Sequence, residues 1–192
     1  LIPGLEPYLK HQLVARIGVG CVPLRNVDRY DYRFTPGDCS QFAGYVLDEV
    51  DNAKQIEVVV LASMGPVYLT GTVFRNSDPA RVTGDALVLV DRPEVEDRWL
   101  VYEIGLRATL HELSVLGKKV VFVIDIPELG IEPRFCRIDR ISTCRNSRSD
   151  VDQRTVKYKE YVARILRDFD NVVVFDPTNL FCDRMYCDGC LL

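Results

Sequence analysis

Short apolar runs alternate with amphipathic stretches along most of this chain. Val58-Val59-Val60-Leu61-Ala62, within 57–63, and Val120-Val121-Phe122-Val123-Ile124, within 119–125, are continuous and β-branched, the pattern of strands covered on both faces. Val172 to Phe175 repeats the pattern and is stopped by Asp176-Pro177. Val14 to Gly20 is expected as a shorter buried strand. Helical periodicity fills the intervals. One helix is expected from Leu5 to Leu13 and another from Ser40 to Lys54, where Phe42, Val46 and Val50 recur at four-residue spacing. The strongest runs from Asp97 to Lys118, with Leu106, Leu110, Leu113 and Leu116 at offsets of four and three and Gly117 placed to end it. Ser149-Asp150-Val151-Asp152 reads as a capping box; the helix it opens carries Tyr158, Val162, Ile165 and Phe169 on one face.

Four apolar strands alternating with helices make an α/β domain with a parallel sheet, of the doubly wound, three-layer kind. Ligands then bind beyond the carboxyl ends of the strands, so the informative loops begin at Cys21, Met64, Asp125 and Asp176. The stretch from Cys21 to Cys39 reads as irregular, from its Pro, Gly, Asp and Asn content. Met64 to Glu96 reads as a long loop, in which Ala86 to Val90 forms a short strand or hairpin arm. A loop of that length in a compact domain is more often functional than not.

Composition narrows the function classes. With 192 residues the chain is the size of one domain, and no repeat or linker divides it. A formal net charge of -4 argues against a binder of phosphate backbones, which would need clustered Lys and Arg, so no nucleic-acid partner is expected. No apolar run approaches the roughly 20 residues that span a bilayer. Leu1-Ile2-Pro3-Gly4 reads as an interior stretch, so a membrane anchor is expected outside this sequence if there is one.

The seven cysteines fall into three local groups: Cys21 with Cys39, Cys136 with Cys144, and Cys182, Cys187 and Cys190. Local loop-closing pairs suggest disulfides and an oxidising compartment. Zinc is the rival reading, since Cys187-Asp188-Gly189-Cys190 is a C-x-x-C, but a structural site wants a second pair at similar spacing. Free thiols are the third reading, and the odd cysteine leaves one thiol over.

The loop openings also carry a family pattern. Cys21-Val22-Pro23-Leu24 followed by Cys39, Val58 to Ala62 running into Val67-Tyr68-Leu69, Gly117 to Leu129 followed by Cys136, and Asn171 to Pro177 with Leu180-Phe181-Cys182 occur in one order and spacing. Together they resemble the C-terminal SGNH domain of the acyltransferase 3 family, over nearly the whole chain. The resemblance implies an SGNH-hydrolase, flavodoxin-like α/β/α sandwich with a parallel sheet. It implies a periplasmic domain fused to an integral membrane acyltransferase domain, the two passing an acyl group, usually acetyl, to a sugar of a surface polysaccharide or lipopolysaccharide. Acetyl-CoA is implied for the membrane domain of the parent protein, and no cofactor for this domain.

The resemblance further implies a serine nucleophile in a Gly-Asp-Ser block and a base in an Asp-x-x-His block, because a serine hydroxyl attacks poorly unless an imidazole takes its proton. Neither block is in residues 1–192. Gly37-Asp38-Cys39-Ser40 is a near miss inside the cysteine-bracketed loop, and neither His11 nor His111 matches the family's histidine. The expectation is a single domain over 1–192, truncated at both ends, whose central strand and reactive trio lie in flanking sequence. A non-catalytic glycan-binding or scaffolding module and a stand-alone carbohydrate esterase of the same fold are the alternatives.

Gly20 matches the family's position for a backbone oxyanion donor; the bland reading is a tight turn before Cys21. The third-block asparagine is absent from Ser63-Met64-Gly65-Pro66, where Gly65 or Tyr68 would contribute instead. Asp125 and Asp176 read as caps of the turns that follow their strands, with acid/base work as the sharper alternative. Trp99 and Tyr102 read as core contacts at a helix start, with sugar stacking as the sharper alternative. Arg134, Arg137, Arg140, Arg145 and Arg148 read as a solvated loop, with an anionic glycan or headgroup as the alternative.

Overall fold

The computed structural model describes residues 13–30, 35–74, 81–83, 85–128, 130 and 145–188. In chain order these form β1 (Val27–Tyr30), α1 (Asp38–Asn52), β2 (Val58–Ala62), α2 (Gly65–Thr70), β3 (Thr72–Val73), β4 (Arg81–Val82), β5 (Ala86–Leu89), α3 (Arg98–Val115), β6 (Lys119–Val123), β7 (Arg145–Ser147), α4 (Arg148–Leu166), β8 (Val172–Phe175), α5 (Thr178–Phe181) and β9 (Tyr186–Asp188). The fold is α/β. Its centre is a parallel sheet in the order β2-β6-β8, with Val60 opposite Val121 and Val121 opposite Val173.

Strand alternation sends successive side chains to opposite faces. Leu61, Val120 and Phe122, with the half-buried Val59 and Val172, face the core, where they meet Leu106, Leu110 and Leu113 of α3 and Tyr158, Val162 and Ile165 of α4. Each fully buried Leu or Ile there contributes roughly 1.5–3 kcal/mol. The opposite face carries Val58, Val60, Val173 and Phe175, all exposed. Among the described residues β2 pairs with β6 alone, which leaves its other edge bare.

The long helices follow their sequence signals. Asp97 caps α3, its carboxylate accepting from the amides of Trp99 at 2.9 Å and Leu100 at 3.3 Å. Gly117 follows with φ 67°, a left-handed turn that glycine adopts without a Cβ clash. The cap of α4 is Ser147, not Ser149: its hydroxyl accepts from the Asp150 amide at 3.1 Å.

Three expectations are corrected. Val14 to Gly20 forms no strand. A strand needs a neighbour to take its amides and carbonyls, none of the described residues pairs with this segment, and Ile17 and Val19 stand 75% and 83% exposed. The stretch between Cys21 and Cys39 is not wholly irregular, because β1 pairs antiparallel with β5, Val27 opposite Leu89. Met64 to Glu96 holds α2 and three short strands; Pro66 lies in the first turn of α2, where its missing N–H removes no helical bond. The expected helix at 5–13 lies, but for Leu13, outside the described residues, as do Cys136, Cys144, Cys190, His11, Arg134, Arg137 and Arg140.

Candidate functional site

Because β2, β6 and β8 run parallel, the segments that follow them emerge on one side: Ser63-Met64-Gly65, Ile124 to Glu128, and Asp176-Pro177. Gly65 opens α2 directly over the Tyr158 ring of α4, and a Cβ at this position would overlap that ring. The Gly65 amide donates to the Ser63 carbonyl at 3.0 Å, so it is an occupied donor.

Beneath this turn lie three tyrosines that are almost wholly buried, Tyr68, Tyr102 and Tyr158. Burial pushes the Tyr68 hydroxyl up to about 12, against the opposing pull of Arg29, and pushes Tyr102 and Tyr158 higher still. All three therefore keep their protons at any ordinary pH and act only as neutral hydroxyls. Tyr102 faces the Ser63 and Tyr158 hydroxyls. The Tyr158 hydroxyl approaches the backbone of Asp125 and the Tyr102 hydroxyl, yet neither approach has hydrogen-bond geometry, and it is left without a partner.

Asp125, at the end of β6, is half-buried and has no ion-pair partner among the described residues. Burial raises its carboxyl to about 7, Glu128 adding to the rise while the Ile126 backbone and Arg154 work against it. Glu128 is itself held by Arg154, whose guanidinium also donates to the Thr72 carbonyl at 2.6 Å. Asp176 is different. Partial burial raises it, but Lys159 at 2.8 Å and the amide and hydroxyl of Thr178 outweigh that and hold it below the usual carboxylate range. Asp176 thus caps its turn, as its sequence position suggested; Asp125 has only the Ile126 backbone for such a contact.

Gly20 takes φ 75°, and its carbonyl accepts from Arg29 Nη1 at 2.7 Å. The same guanidinium lies 5.6 Å from the centre of the Tyr68 ring and pairs through Nε with Asp85 at 2.6 Å. Arg98 bridges Asp85 and the Tyr68 carbonyl. Gly20 and Tyr68, far apart in sequence, are therefore joined through one buried arginine. The Gly20 amide makes no hydrogen bond among the described residues. The corner is fixed from outside by the Cys21–Cys39 disulfide, Cα atoms 5.1 Å apart, and by Asp28, which accepts from the amides of Gly37, Cys39 and Ser40 at the start of α1. Gly37-Asp38-Cys39-Ser40 begins that helix; it does not follow a parallel strand, and the Ser40 hydroxyl donates to the Gly37 carbonyl.

Sequence reasoning missed Arg29 and Asp85, whose signal was slight: charged residues in short segments with strand-like alternation. Other candidates stay outside the cluster. His111 is exposed on α3. Trp99 packs on the core with its ring 4.9 Å from that of Tyr161, edge on at 75°, and Tyr102 is fully buried. Arg145 pairs with Asp188 and Arg148 with Asp152. Cys182 and Cys187 are joined in a second disulfide. Among the described residues no group of His, Cys, Asp or Glu could hold a metal ion, and no helix is long and apolar enough to cross a membrane.

The arrangement offers neutral buried hydroxyls and one titratable carboxyl near the carboxyl ends of the parallel strands, and a backbone donor at Gly20 that has no partner among the described residues. A serine and an imidazole in contact are not found among the described residues. A family model described as "SGNH domain (fused to AT3 domains)" matches residues 1–190. Neither a curated protein nor a solved structure matches the chain.

Proposed function

This chain belongs to the SGNH domains that are fused to AT3 domains, and on that premise we propose that it serves O-acyl transfer to a surface glycan. In this reading a membrane acyltransferase domain of the same parent protein delivers the acyl group, acetyl by preference and drawn from acetyl-CoA on its side. The present domain works outside the membrane, in the periplasm, with no cofactor of its own. The acyl group passes to a serine supplied by the parent protein and is then attacked by a sugar hydroxyl.

The observation that carries the reading is the Gly20 amide, without a partner among the described residues and linked through Arg29 to Tyr68, which lies in the helix that follows β2. A backbone donor aimed at the carbonyl oxygen of an acyl group stabilises the negative charge that develops there, worth about 2.7–4 kcal/mol. Arg29 holds the Gly20 carbonyl, which lies in the peptide following the donor, and so anchors the turn that carries it. Tyr68, with its proton held, can add only a neutral hydrogen bond.

The test is an acetyl count on surface polysaccharide incubated with membranes containing the parent protein and an acetyl donor. An increase in glycan acetyl esters supports transfer. A count that stays constant while the glycan is retained on the domain sinks transfer in favour of a binding module, and a decrease sinks it in favour of an esterase.

A further inference from the structure

We propose that a cleft beside the Cys182–Cys187 disulfide binds the carboxylate of a uronic acid, so that the acceptor glycan is an acidic one. The proposal rests on the reading above and names the class of its acceptor. The cleft has a volume of about 500 Å³ and is lined by Arg148 and Asp152 of α4, Asn179 of α5, and Cys182, Asp183 and Arg184 of the segment joining α5 to β9. That volume is in the range of ligand clefts, roughly 300–1,000 Å³. Asn179 belongs to the short helix that follows the carboxyl end of β8.

One wall of the cleft is fixed. Cys182 and Cys187 are buried with Val151 in a small apolar cluster against which Phe181 packs. Its acidic groups are already engaged. Both oxygens of Asp152 accept from Arg148 Nε at 3.0 Å. Asp183 Oδ1 accepts from the amides of Met185 at 2.6 Å and Tyr186 at 2.7 Å. Arg148 is pinned twice more, its amide donating to the Met185 carbonyl at 2.9 Å and its Nη1 to the Asp183 carbonyl at 3.4 Å. Donors are left over. Among the described residues, Arg148 Nη2, the side-chain amide of Asn179 and the whole guanidinium of Arg184 have no partner.

A cleft whose carboxylates are engaged and whose donors are unmet lacks an acceptor. A carboxylate supplies it, because guanidinium groups present planar pairs of N–H donors that match its two oxygens. The Asn179 amide offers both a donor and an acceptor to a neighbouring hydroxyl. A uronic acid carries both kinds of group. The lining sets two arginines against two aspartates, so its charges cancel. Attraction is therefore local hydrogen bonding and not a long-range field. The same aspartates repel a dianion such as phosphate more than a monoanion, which favours a uronate over a phosphate group.

The experiment is an NMR titration of the protein at neutral pH with methyl glucuronide, methyl glucoside, acetate and inorganic phosphate, each added singly. It is read at the backbone amides of Cys182, Asp183 and Arg184 and at the Asn179 side chain. The expected result is a saturable shift of these signals with methyl glucuronide, at an affinity about tenfold above that for each of the other three. Arg184 holds nothing in place among the described residues, so Arg184→Gln binds the glucuronide about tenfold more weakly without loss of stability. Arg92→Gln, which takes the same charge from beside Asp91, binds as the parent does. No saturable shift with methyl glucuronide overturns the proposal, as do shifts confined to other parts of the chain. Equal affinity for methyl glucoside, acetate or phosphate overturns it too, and so does an Arg184→Gln protein with the parent's affinity. Glucuronide binding as described with no gain of acetyl esters on an acidic polysaccharide removes the preceding reading and leaves the uronate site; acetyl transfer to a neutral polysaccharide by a protein that ignores glucuronide does the reverse.

Discussion

The neighbouring strands β6 and β8 run parallel, and each ends in an aspartate shortly before a proline, Asp125-Ile126-Pro127 and Asp176-Pro177. The two carboxyls are nonetheless driven in opposite directions, one up to about 7 and the other below its usual range. The cause is a single helix. α4 supplies Lys159 to Asp176, whereas Arg154, five residues earlier on the same helix, is taken by Glu128 and by the threonines around β3. A strand end becomes a rigid cap or a titratable site according to where the cations of the covering helix are directed. Two staples hold other parts of the chain: Cys21–Cys39 beside Gly20, and Cys182–Cys187 after α5.

The largest expected effect concerns those staples. Cys21→Ser with Cys39→Ser opens the longer loop and should cost about 3 kcal/mol in the chain-entropy account, against about 2 kcal/mol for Cys182→Ser with Cys187→Ser. Denaturant unfolding under non-reducing conditions measures both, and equal losses would show that the two stapled parts are not held independently. Gly65→Ala comes next. Its methyl group meets the Tyr158 ring, and overpacking of this kind costs about 2 kcal/mol. A midpoint within error of the parent's would mean that the tyrosine moves aside freely.

Asp125→Asn should stabilise. Because the folded-state value is raised, the parent loses stability as pH climbs from about 4 to about 7, while the variant does not. Since the carboxyl reaches solvent, the gain above pH 7 is on the order of 2 kcal/mol rather than the full shift. Thermal melts from pH 4 to pH 8 should show the two curves diverging with pH; parallel curves would erase the contrast between the strand ends. Asp176→Asn has the smallest effect and the opposite sign. It should cost up to about 1 kcal/mol at neutral pH, discounted for exposure, and the difference should fade as pH drops below about 4.

Much of the frame was legible in the sequence for a physical reason. β2, β6 and β8 are unbroken apolar runs, and α3 repeats its leucines at helical spacing over about three turns, so periodicity alone places them. β1 was hidden because its Val-Asp-Arg-Tyr buries the two charged residues, Asp28 as the anchor of α1 and Arg29 as the link between Gly20 and Tyr68. Composition marks such a segment as loop. α2 was hidden by brevity and by an opening Gly-Pro that reads as a turn. The corner at Gly20 could be anticipated from its residue type, but its connection to Tyr68 depends on Arg29 and Asp85, drawn from distant segments. The aspartates show the same limit: identical local signals, with chemistry decided by side chains from α4.

One side of the β2-β6-β8 sheet is covered by none of the described residues, with a consequence for solubility. Among the described residues, Val58, Val60, Val173 and Phe175 form an oily plane, bordered by a rim of β2 that pairs with none of them. Such a combination is adhesive: two copies can zip rim to rim and bury their planes together. Colloidal instability should therefore originate at this one patch, and a lysine at position 60 would raise solubility while leaving the tyrosine cluster, on the far side of the sheet, undisturbed.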